Sequence, residues 1–167
     1  MIVTIFRHGE AGRAVTDKLR ELTSKGEDDV GFGCTRFHEI CHRRDIPHPQ
    51  LIVHSPWTRT AQTADIIASA FSHATLRPEA ALQPGAAPAD VDALLTLLTA
   101  DTGEPTHLLL VSHQPLVSEL IDHYLGDDGR VPSLPPGGLA TLELELPGPG
   151  CGELLFWALP PEYEASL

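Results

Sequence analysis

The nine residues Ile2-Val3-Thr4-Ile5-Phe6-Arg7-His8-Gly9-Glu10 join the pattern of a buried strand to a cluster of polar groups. The first five are apolar or β-branched, and so short a run favours a strand over a helix. Gly9 permits a sharp turn, which predicts Arg7 and His8 at the carboxyl end of that strand, where open α/β sheets bind their ligands. A guanidinium is suited to phosphate or carboxylate, and an imidazole beside it can attack phosphorus or move protons.

Two further stretches repeat this arrangement of a strand followed by polar groups. Ser55-Pro56-Trp57-Thr58-Arg59-Thr60-Ala61-Gln62-Thr63 follows the apolar run 51–54, and Val111-Ser112-His113-Gln114-Pro115 follows the run 107–110. Pro56 is tolerated in the first turn of a helix, so Arg59 is predicted beside a helix N-terminus, which itself attracts anions. Three strand ends therefore deliver cationic or imidazole groups to one edge of a sheet.

With these motifs the chain resembles the histidine phosphatase (phosphoglycerate mutase-like) superfamily, and within it the small SixA-type phosphohistidine phosphatases. The resemblance covers nearly the whole chain and includes Leu22-Thr23-Ser24-Lys25-Gly26 as a further marker. It implies that His8 attacks phosphorus and forms a covalent phosphohistidine. It also implies that the phosphoryl oxygens are held by Arg7, Arg59 and a protonated His113. The chain has no room for the helical insertion that larger relatives carry.

Further site residues are expected around this set. We expect Gly9, Arg20 and Ser55 to bind phosphate or substrate. Larger relatives place a general-acid Glu soon after the position of Leu82, but here Gln83-Pro84-Gly85 follows and provides no carboxylate. Asp17 matches an Asp in the first loop of SixA-like chains and is the expected acid. An imidazole leaving group, with a pKa of ~6.5, tolerates a poor acid better than an alkoxide does.

Length and composition narrow the class of protein. A chain of 167 residues suits one domain, 1–167, with 42% hydrophobic residues and no apolar run near the ~20 residues of a membrane helix. The net charge of −12 argues against nucleic acid as a partner. The three cysteines give no disulfide framework, and no basic segment with a cleavage site precedes the first strand. We therefore expect a cytoplasmic protein without a membrane partner.

The alternation of predicted elements indicates a three-layer α/β/α sandwich, with a mostly parallel sheet and a C-terminal antiparallel hairpin. Helices are predicted at 27–44, 58–70, 89–100 and 116–125, and strands at 2–6, 51–54, 75–77, 107–111, 139–146 and 153–159. Alternation in the fifth strand predicts one wet face, carrying Thr141, Glu143 and Glu145. The segment 126–138 is expected to be a flexible loop, and the tail after Pro160 to be frayed.

The first long helix carries a pattern that imitates a metal site. Cys34, His38, Cys41 and His42 follow one another at helical spacing. However, Val30, Cys34, Phe37 and Cys41 make one apolar stripe, and four ligands on a single rigid helix cannot easily close a tetrahedron. We therefore expect no metal and no cofactor.

Three functions remain open at this point. The first is a phosphatase of protein phosphohistidine, whose partner would be a histidine-containing phosphotransfer domain and whose product would be inorganic phosphate. The second is a phosphatase of small molecules such as sugar phosphates or nucleotides. The third is a non-catalytic phosphate-binding adaptor, against which the intact set of Arg7, His8, Arg59 and His113 argues.

Overall fold

The computed structural model describes residues 1–102 and 106–167. The strands are β1 (Ile2–Arg7), β2 (Leu51–His54), β3 (Thr75–Pro78), β4 (His107–Ser112), β5 (Leu139–Leu144) and β6 (Gly152–Ala158). The helices are α1 (Ser24–Arg43), α2 (Thr58–Ala70), α3 (Pro88–Thr102) and α4 (Leu116–Leu125), with short 3₁₀ helices at Asp17–Leu19 and Ala80–Leu82. No helix in the described ranges is both long and apolar enough to cross a membrane.

The six strands form one sheet in the order β3-β2-β4-β1-β5-β6. Strands β3, β2, β4 and β1 run parallel, β5 pairs antiparallel with β1, and β6 pairs antiparallel with β5. Helices α1 and α2 share one apolar core with one face of the sheet, and α3 and α4 share a second core with the other face. The predicted three-layer architecture with a C-terminal hairpin is confirmed.

Helix α1 begins three residues before the predicted start, because Thr23 caps it by accepting a hydrogen bond from the Gly26 amide. Its apolar stripe is buried as predicted, and burial raises the pKa of the Cys34 and Cys41 thiols to about 12. His38 and His42 are instead exposed beside this stripe. Within residues 1–102 and 106–167, no group of three or more His, Cys, Asp or Glu side chains is arranged to hold a metal ion.

The prediction that Thr141 lies on a solvent-exposed face of β5 is wrong. Its side chain is fully buried, and its hydroxyl lies 2.8 Å from the Thr4 hydroxyl of the neighbouring strand. The reason is that this face of β5 is covered there, since Leu139 on the same face and Phe156 opposite Thr141 belong to the core shared with α1 and α2. The strand predicted to reach residue 146 also stops at Leu144, and Leu146, which alternates with the wet-face residues and would have faced inward, is exposed.

The frayed tail predicted after Pro160 is also wrong. The Tyr163 side chain is 1% exposed, and its hydroxyl donates a hydrogen bond of 3.0 Å to the Gly137 carbonyl. Ser166 then makes an antiparallel bridge with Trp157 of β6. Burial of the Tyr163 ring fixes the tail against the rest of the fold. The polar sequence around it gives no sign of this packing.

The loop predicted to be flexible at 126–138 packs tightly in its second half. Leu134 is fully buried, and the Gly137 amide lies 3.1 Å from the Arg7 carbonyl oxygen and 3.0 Å from that of His8. Gly137 has a φ of +82°, a left-handed conformation in which a residue with a side chain would be strained. The loop therefore braces the end of β1.

Candidate active site

The ends of three adjacent parallel strands form the floor of a cavity. Strand β4 lies between β2 and β1, so that the residues after each strand meet at one edge. Backbone hydrogen bonds fix their register, from the His8 amide to the Ser112 carbonyl at 3.1 Å and from the Ser55 amide to the Val111 carbonyl at 3.0 Å. The cavity has a volume of about 420 Å³. Its lining consists of Arg7, His8, Glu10, Ala11, Asp17, Arg20, Arg59, Pro84, His113, Gln114 and Pro136.

The hydrogen bonds of His8 define its protonation state. Nδ1 lies 2.7 Å from the Gly9 carbonyl oxygen, which can only accept, so Nδ1 carries the proton. Nε2 accepts a hydrogen bond of 3.1 Å from Arg59 Nε–H and therefore presents a lone pair. Burial lowers the His8 pKa to about 4, outweighing the Gly9 bond that raises it, with further lowering from Arg59 and Arg7. Near neutral pH this is an uncharged imidazole whose Nε2 lone pair accepts the Arg59 hydrogen bond.

Arg59 projects from the first turn of α2 and is 5% exposed. Besides the bond to His8, its Nη1 donates to the Asp17 carbonyl oxygen at 2.8 Å, and its Nη2 lies 3.4 Å from the Asp17 carboxylate. Its guanidinium carbon lies 5.1 Å from the centre of the Trp57 ring. Arg59 is thus held on several sides, with its Nε–H on the nitrogen that a phosphoryl group would approach.

Arg7 lies at the end of β1 on the other side of His8. Its Nη1 donates to the Leu134 carbonyl oxygen at 2.9 Å, which ties the guanidinium to the loop before β5. Its Nε is buried and has no hydrogen-bond partner among the described residues. A buried donor without a partner is costly, so Arg7 has a donor to offer to an anion in the cavity.

His113 lies against both His8 and Trp57, with ring centres 5.2 and 5.4 Å apart. Its Nε2 is 2.9 Å from Ser55 Oγ, and the residue is 2% exposed. Burial lowers the His113 pKa to about 3, with additional contributions from His8 and Arg59. The protein groups around the ring therefore favour its neutral form, and the expected protonated form would need the negative charge of a bound phosphate.

Asp17 and Arg20 lie in an exposed loop over the cavity. Residues 11–22, called the rim loop below, are closed at their base by a bridge between Ala11 and Leu22. Arg20 donates from Nη1 to the Asp17 carboxylate at 3.0 Å and from Nε to the Gly12 carbonyl at 2.7 Å. The bond from Arg20, followed by the charge of Arg59, outweighs the small effect of burial and lowers the Asp17 pKa.

Several solved structures resemble the chain closely in fold. The protein histidine phosphatase SixA in complex with tungstate superposes with a TM-score of 0.76 at 23% identity, over 96% of this chain and 97% of that one. A structure described as phosphohistidine phosphatase SixA from Agrobacterium tumefaciens gives 0.74 at 24% identity, over 95% and 98%.

The chain has the histidine phosphatase fold. A mycobacterial glucosyl-3-phosphoglycerate phosphatase bound to VO₃ has it too, with a TM-score of 0.68 at 18% identity, over 95% of this chain and 99% of that one. No family model matches the sequence, and no curated protein sequence does. The likeness therefore lies in the fold rather than in the sequence.

Six of the eight site residues predicted from the sequence line the cavity: Arg7, His8, Asp17, Arg20, Arg59 and His113. Gly9 and Ser55 lie behind it. The Gly9 amide donates to Thr63 Oγ1 at 3.1 Å, and a Cβ at Gly9 would come within 2.8 Å of the Val30 side chain. Gly9 therefore allows close packing of α1 beneath the nucleophile instead of offering a free amide to the cavity.

Sequence reasoning missed the groups that hold the site from behind. Thr63 Oγ1 supports Gly9, and Gln62 accepts a hydrogen bond of 2.8 Å from the Leu22 amide at the base of the rim loop. Both residues belong to the stretch 55–63, and their positions three and four residues after Arg59, on the same helix, could have indicated this role. The contributions of Leu134 and Gly137 had no such signal, because both act through backbone groups.

The cavity can bind an anion and offers it a nucleophile. Its lining brings together three guanidinium groups, those of Arg7, Arg20 and Arg59, and two neutral imidazoles, and the segment after Leu82 contributes Pro84 rather than a carboxylate. Glu79, a carboxylate close to Leu82 in the sequence, accepts a hydrogen bond from Arg77 and does not line the cavity. The lining carboxylates are Glu10 and Asp17, both at the rim.

Proposed function

We propose that this protein is a metal-independent phosphatase that transfers a phosphoryl group to His8 and then to water. The observation that carries the proposal is the hydrogen bonding of His8. The Gly9 carbonyl holds the proton on Nδ1, and Nε2 faces Arg59 with its lone pair. A neutral, fixed imidazole between two guanidinium groups meets the requirements of nucleophilic phosphoryl transfer.

Binding must change one contact before reaction. Arg59 Nε–H donates to His8 Nε2, and a phosphoryl oxygen would take over that donor and free the lone pair. Arg7 Nε, which has no partner among the described residues, is a second donor for the same group. The bond from Nε2 to phosphorus then forms as the bond to the leaving group breaks, and water later cleaves the phosphohistidine to release inorganic phosphate.

Asp17 as the general acid stays a prediction, and its contacts weaken it. The Asp17 pKa is lowered by the Arg20 bond, so the carboxylate does not readily hold a proton near neutrality. The same contacts suit a carboxylate that orients Arg59. A substrate whose leaving group is an imidazole needs little help from an acid, since imidazole itself is protonated near pH ~6.5.

We infer that the substrate is a phosphohistidine on a protein, of the kind carried by histidine-containing phosphotransfer domains. The rim loop supports this inference because it exposes two apolar side chains beside the cavity, Val15 at 98% and Leu19 at 55%. Arg13 and Lys18 are exposed beside them. Apolar side chains ringed by charge on an exposed loop are typical of a surface that contacts another protein. The cytoplasmic location stays a prediction.

A phosphatase of small molecules is the second candidate. It is favoured by the likeness to the mycobacterial glucosyl-3-phosphoglycerate phosphatase, which has the same fold. The adaptor is disfavoured by a nucleophile that is neutral and correctly presented.

The deciding experiment compares kcat/KM for a phosphorylated phosphotransfer domain with values for sugar phosphates, nucleotides and p-nitrophenyl phosphate. We expect the phosphoprotein to be preferred. A small metabolite that wins by tenfold or more, ~1.4 kcal/mol in transition-state binding, would overturn the substrate assignment and leave the His8 mechanism standing. Absence of phosphate release from every compound would favour the adaptor.

A further inference from the structure

His113 has two ring nitrogens in very different surroundings. Nε2 lies 2.9 Å from Ser55 Oγ, whereas Nδ1 is buried and has no hydrogen-bond partner among the described residues. His113 lines the cavity beside His8 and is neutral there. The position of its single proton therefore decides whether the ring offers the cavity a donor or an acceptor.

The contacts of Ser55 determine where that proton sits. Ser55 is fully buried, and its Oγ accepts a hydrogen bond of 3.4 Å from the Trp57 amide. Its hydroxyl proton then needs an acceptor, and within the described part of the chain the acceptor in reach is His113 Nε2. A hydroxyl that donates to Nε2 leaves the ring proton on Nδ1.

We propose that Ser55 is a positioning residue that fixes His113 in the Nδ1–H form, so that the neutral ring donates a hydrogen bond to the phosphoryl group. This inference rests on the proposed phosphatase function. It removes the need for a protonated His113 in a cavity that is already lined by the guanidinium groups of Arg7, Arg20 and Arg59. A charge-assisted hydrogen bond from an uncharged donor avoids their repulsion.

The imidazoles of His8 and His113 then both carry their proton on Nδ1, but one serves as a nucleophile and the other as a hydrogen-bond donor. In His8 the Gly9 carbonyl accepts from Nδ1–H, and the unprotonated Nε2 accepts from Arg59 Nε–H. In His113 the Ser55 hydroxyl occupies Nε2, and Nδ1–H is left for the ligand. One backbone carbonyl and one hydroxyl thus make a nucleophile and a donor from the same side chain type.

The test reads the tautomer directly, by two-bond ¹H–¹⁵N NMR of the full chain with ¹⁵N-labelled histidine at pH 7. We expect His113 in the Nδ1–H form without ligand, and a shift of its Nδ1 resonance when inorganic phosphate is added. An Nε2–H or doubly protonated ring in the free protein would overturn the proposal. This readout needs no turnover, so it stands even if no substrate is hydrolysed.

Variants separate the hydroxyl from the fold around it. Ser55→Ala should lose the fixed tautomer and about tenfold or more in kcat/KM for p-nitrophenyl phosphate, as expected for one charge-assisted hydrogen bond. Ser55→Thr should restore the tautomer, because it restores the hydroxyl. Ser112→Ala is the matched control, since Ser112 is fully buried beside His113 but donates to the Leu82 carbonyl. An unchanged tautomer in Ser55→Ala would contradict the proposal.

Discussion

The floor of the cavity and the rim loop are built in opposite ways. In the floor, His8, Ser55, Arg59 and His113 are each at most 8% exposed and are tied by hydrogen bonds across the ends of three strands. The rim loop is mostly exposed, but Arg59 of the floor donates a hydrogen bond to its Asp17 carbonyl, and a bridge between Ala11 and Leu22 closes its base. The floor is set by the topology of a parallel sheet, whereas the rim loop turns Val15 and Leu19 toward solvent. We therefore expect the chemistry to depend on the floor and the choice of a protein substrate on the exposed part of the rim loop.

The largest effect should come from removing the nucleophile of the floor. His8→Ala should lower the rate by about a thousandfold or more, because it removes the nitrogen that we propose attacks phosphorus. Rapid quenching with labelled substrate should trap an acid-labile, base-stable phosphoenzyme in the wild type and none in the variant.

His54 provides a matched control for this experiment. It is buried at the end of β2, and its Nδ1 lies 2.8 Å from the Ser55 carbonyl oxygen, as that of His8 does from Gly9. It does not line the cavity. His54→Ala should keep the labelled intermediate. Full activity in His8→Ala, or loss of wild-type activity on chelation, would contradict the mechanism.

The next effect separates a floor cation from a surface cation. Arg59→Ala should lower kcat/KM by a factor of ~30 to ~1000, because a contact to a transferring phosphoryl group is worth about 2–4 kcal/mol. The Lys25 side chain is 70% exposed and pairs with Asp29. Lys25→Ala should therefore lower kcat/KM by about twofold or less. Equal losses in Lys25→Ala and Arg59→Ala, with p-nitrophenyl phosphate as substrate, would show that Arg59 does not contact the phosphate.

The buried histidines predict how stability depends on pH. Burial lowers the pKa of His8 and His107 to about 4 and that of His113 to about 3, against 6.5 in the unfolded chain. The contribution of these histidines to the free energy of unfolding is fully present above pH 6.5 and is lost as the pH falls toward 4. The reason is that the unfolded chain then binds protons that the folded chain excludes. Each histidine contributes on the order of 2 kcal/mol between pH 6.5 and 4.5.

His107 allows the pH dependence of stability to be tested at a histidine outside the cavity floor. It begins β4, far from the strand end, and its Nδ1 and Nε2 lie against the Pro47 carbonyl and the Thr4 hydroxyl. Urea unfolding of His107→Gln at pH 7 and pH 4.5 should give a smaller loss on acidification than the wild type. An equal loss in both proteins would show that His107 is protonated in the folded state.

The floor could be predicted from the sequence, and the supports of the floor could not. Arg7, His8, Arg59 and His113 follow short apolar runs, and parallel strands bring such ends together by geometry alone. Tyr163, by contrast, lies in a polar tail, and its packing depends on a cavity formed by residues distant in sequence. Ser55 was placed near the phosphate, but its contact with His113 Nε2 depends on a ring orientation that no local pattern encodes.

The smallest effect should distinguish the rim from the floor by substrate. Replacing Val15 and Leu19 together by Asp should lower kcat/KM for a phosphorylated phosphotransfer domain about tenfold, because two apolar contacts with a protein surface would be lost. Activity toward p-nitrophenyl phosphate should stay within about twofold, since neither side chain lines the cavity. Leu97→Asp is the control, because Leu97 is 64% exposed on α3 and also lies outside the cavity lining. Equal losses on both substrates would mean that the rim loop supports the floor, and no loss on either would place the protein contact elsewhere.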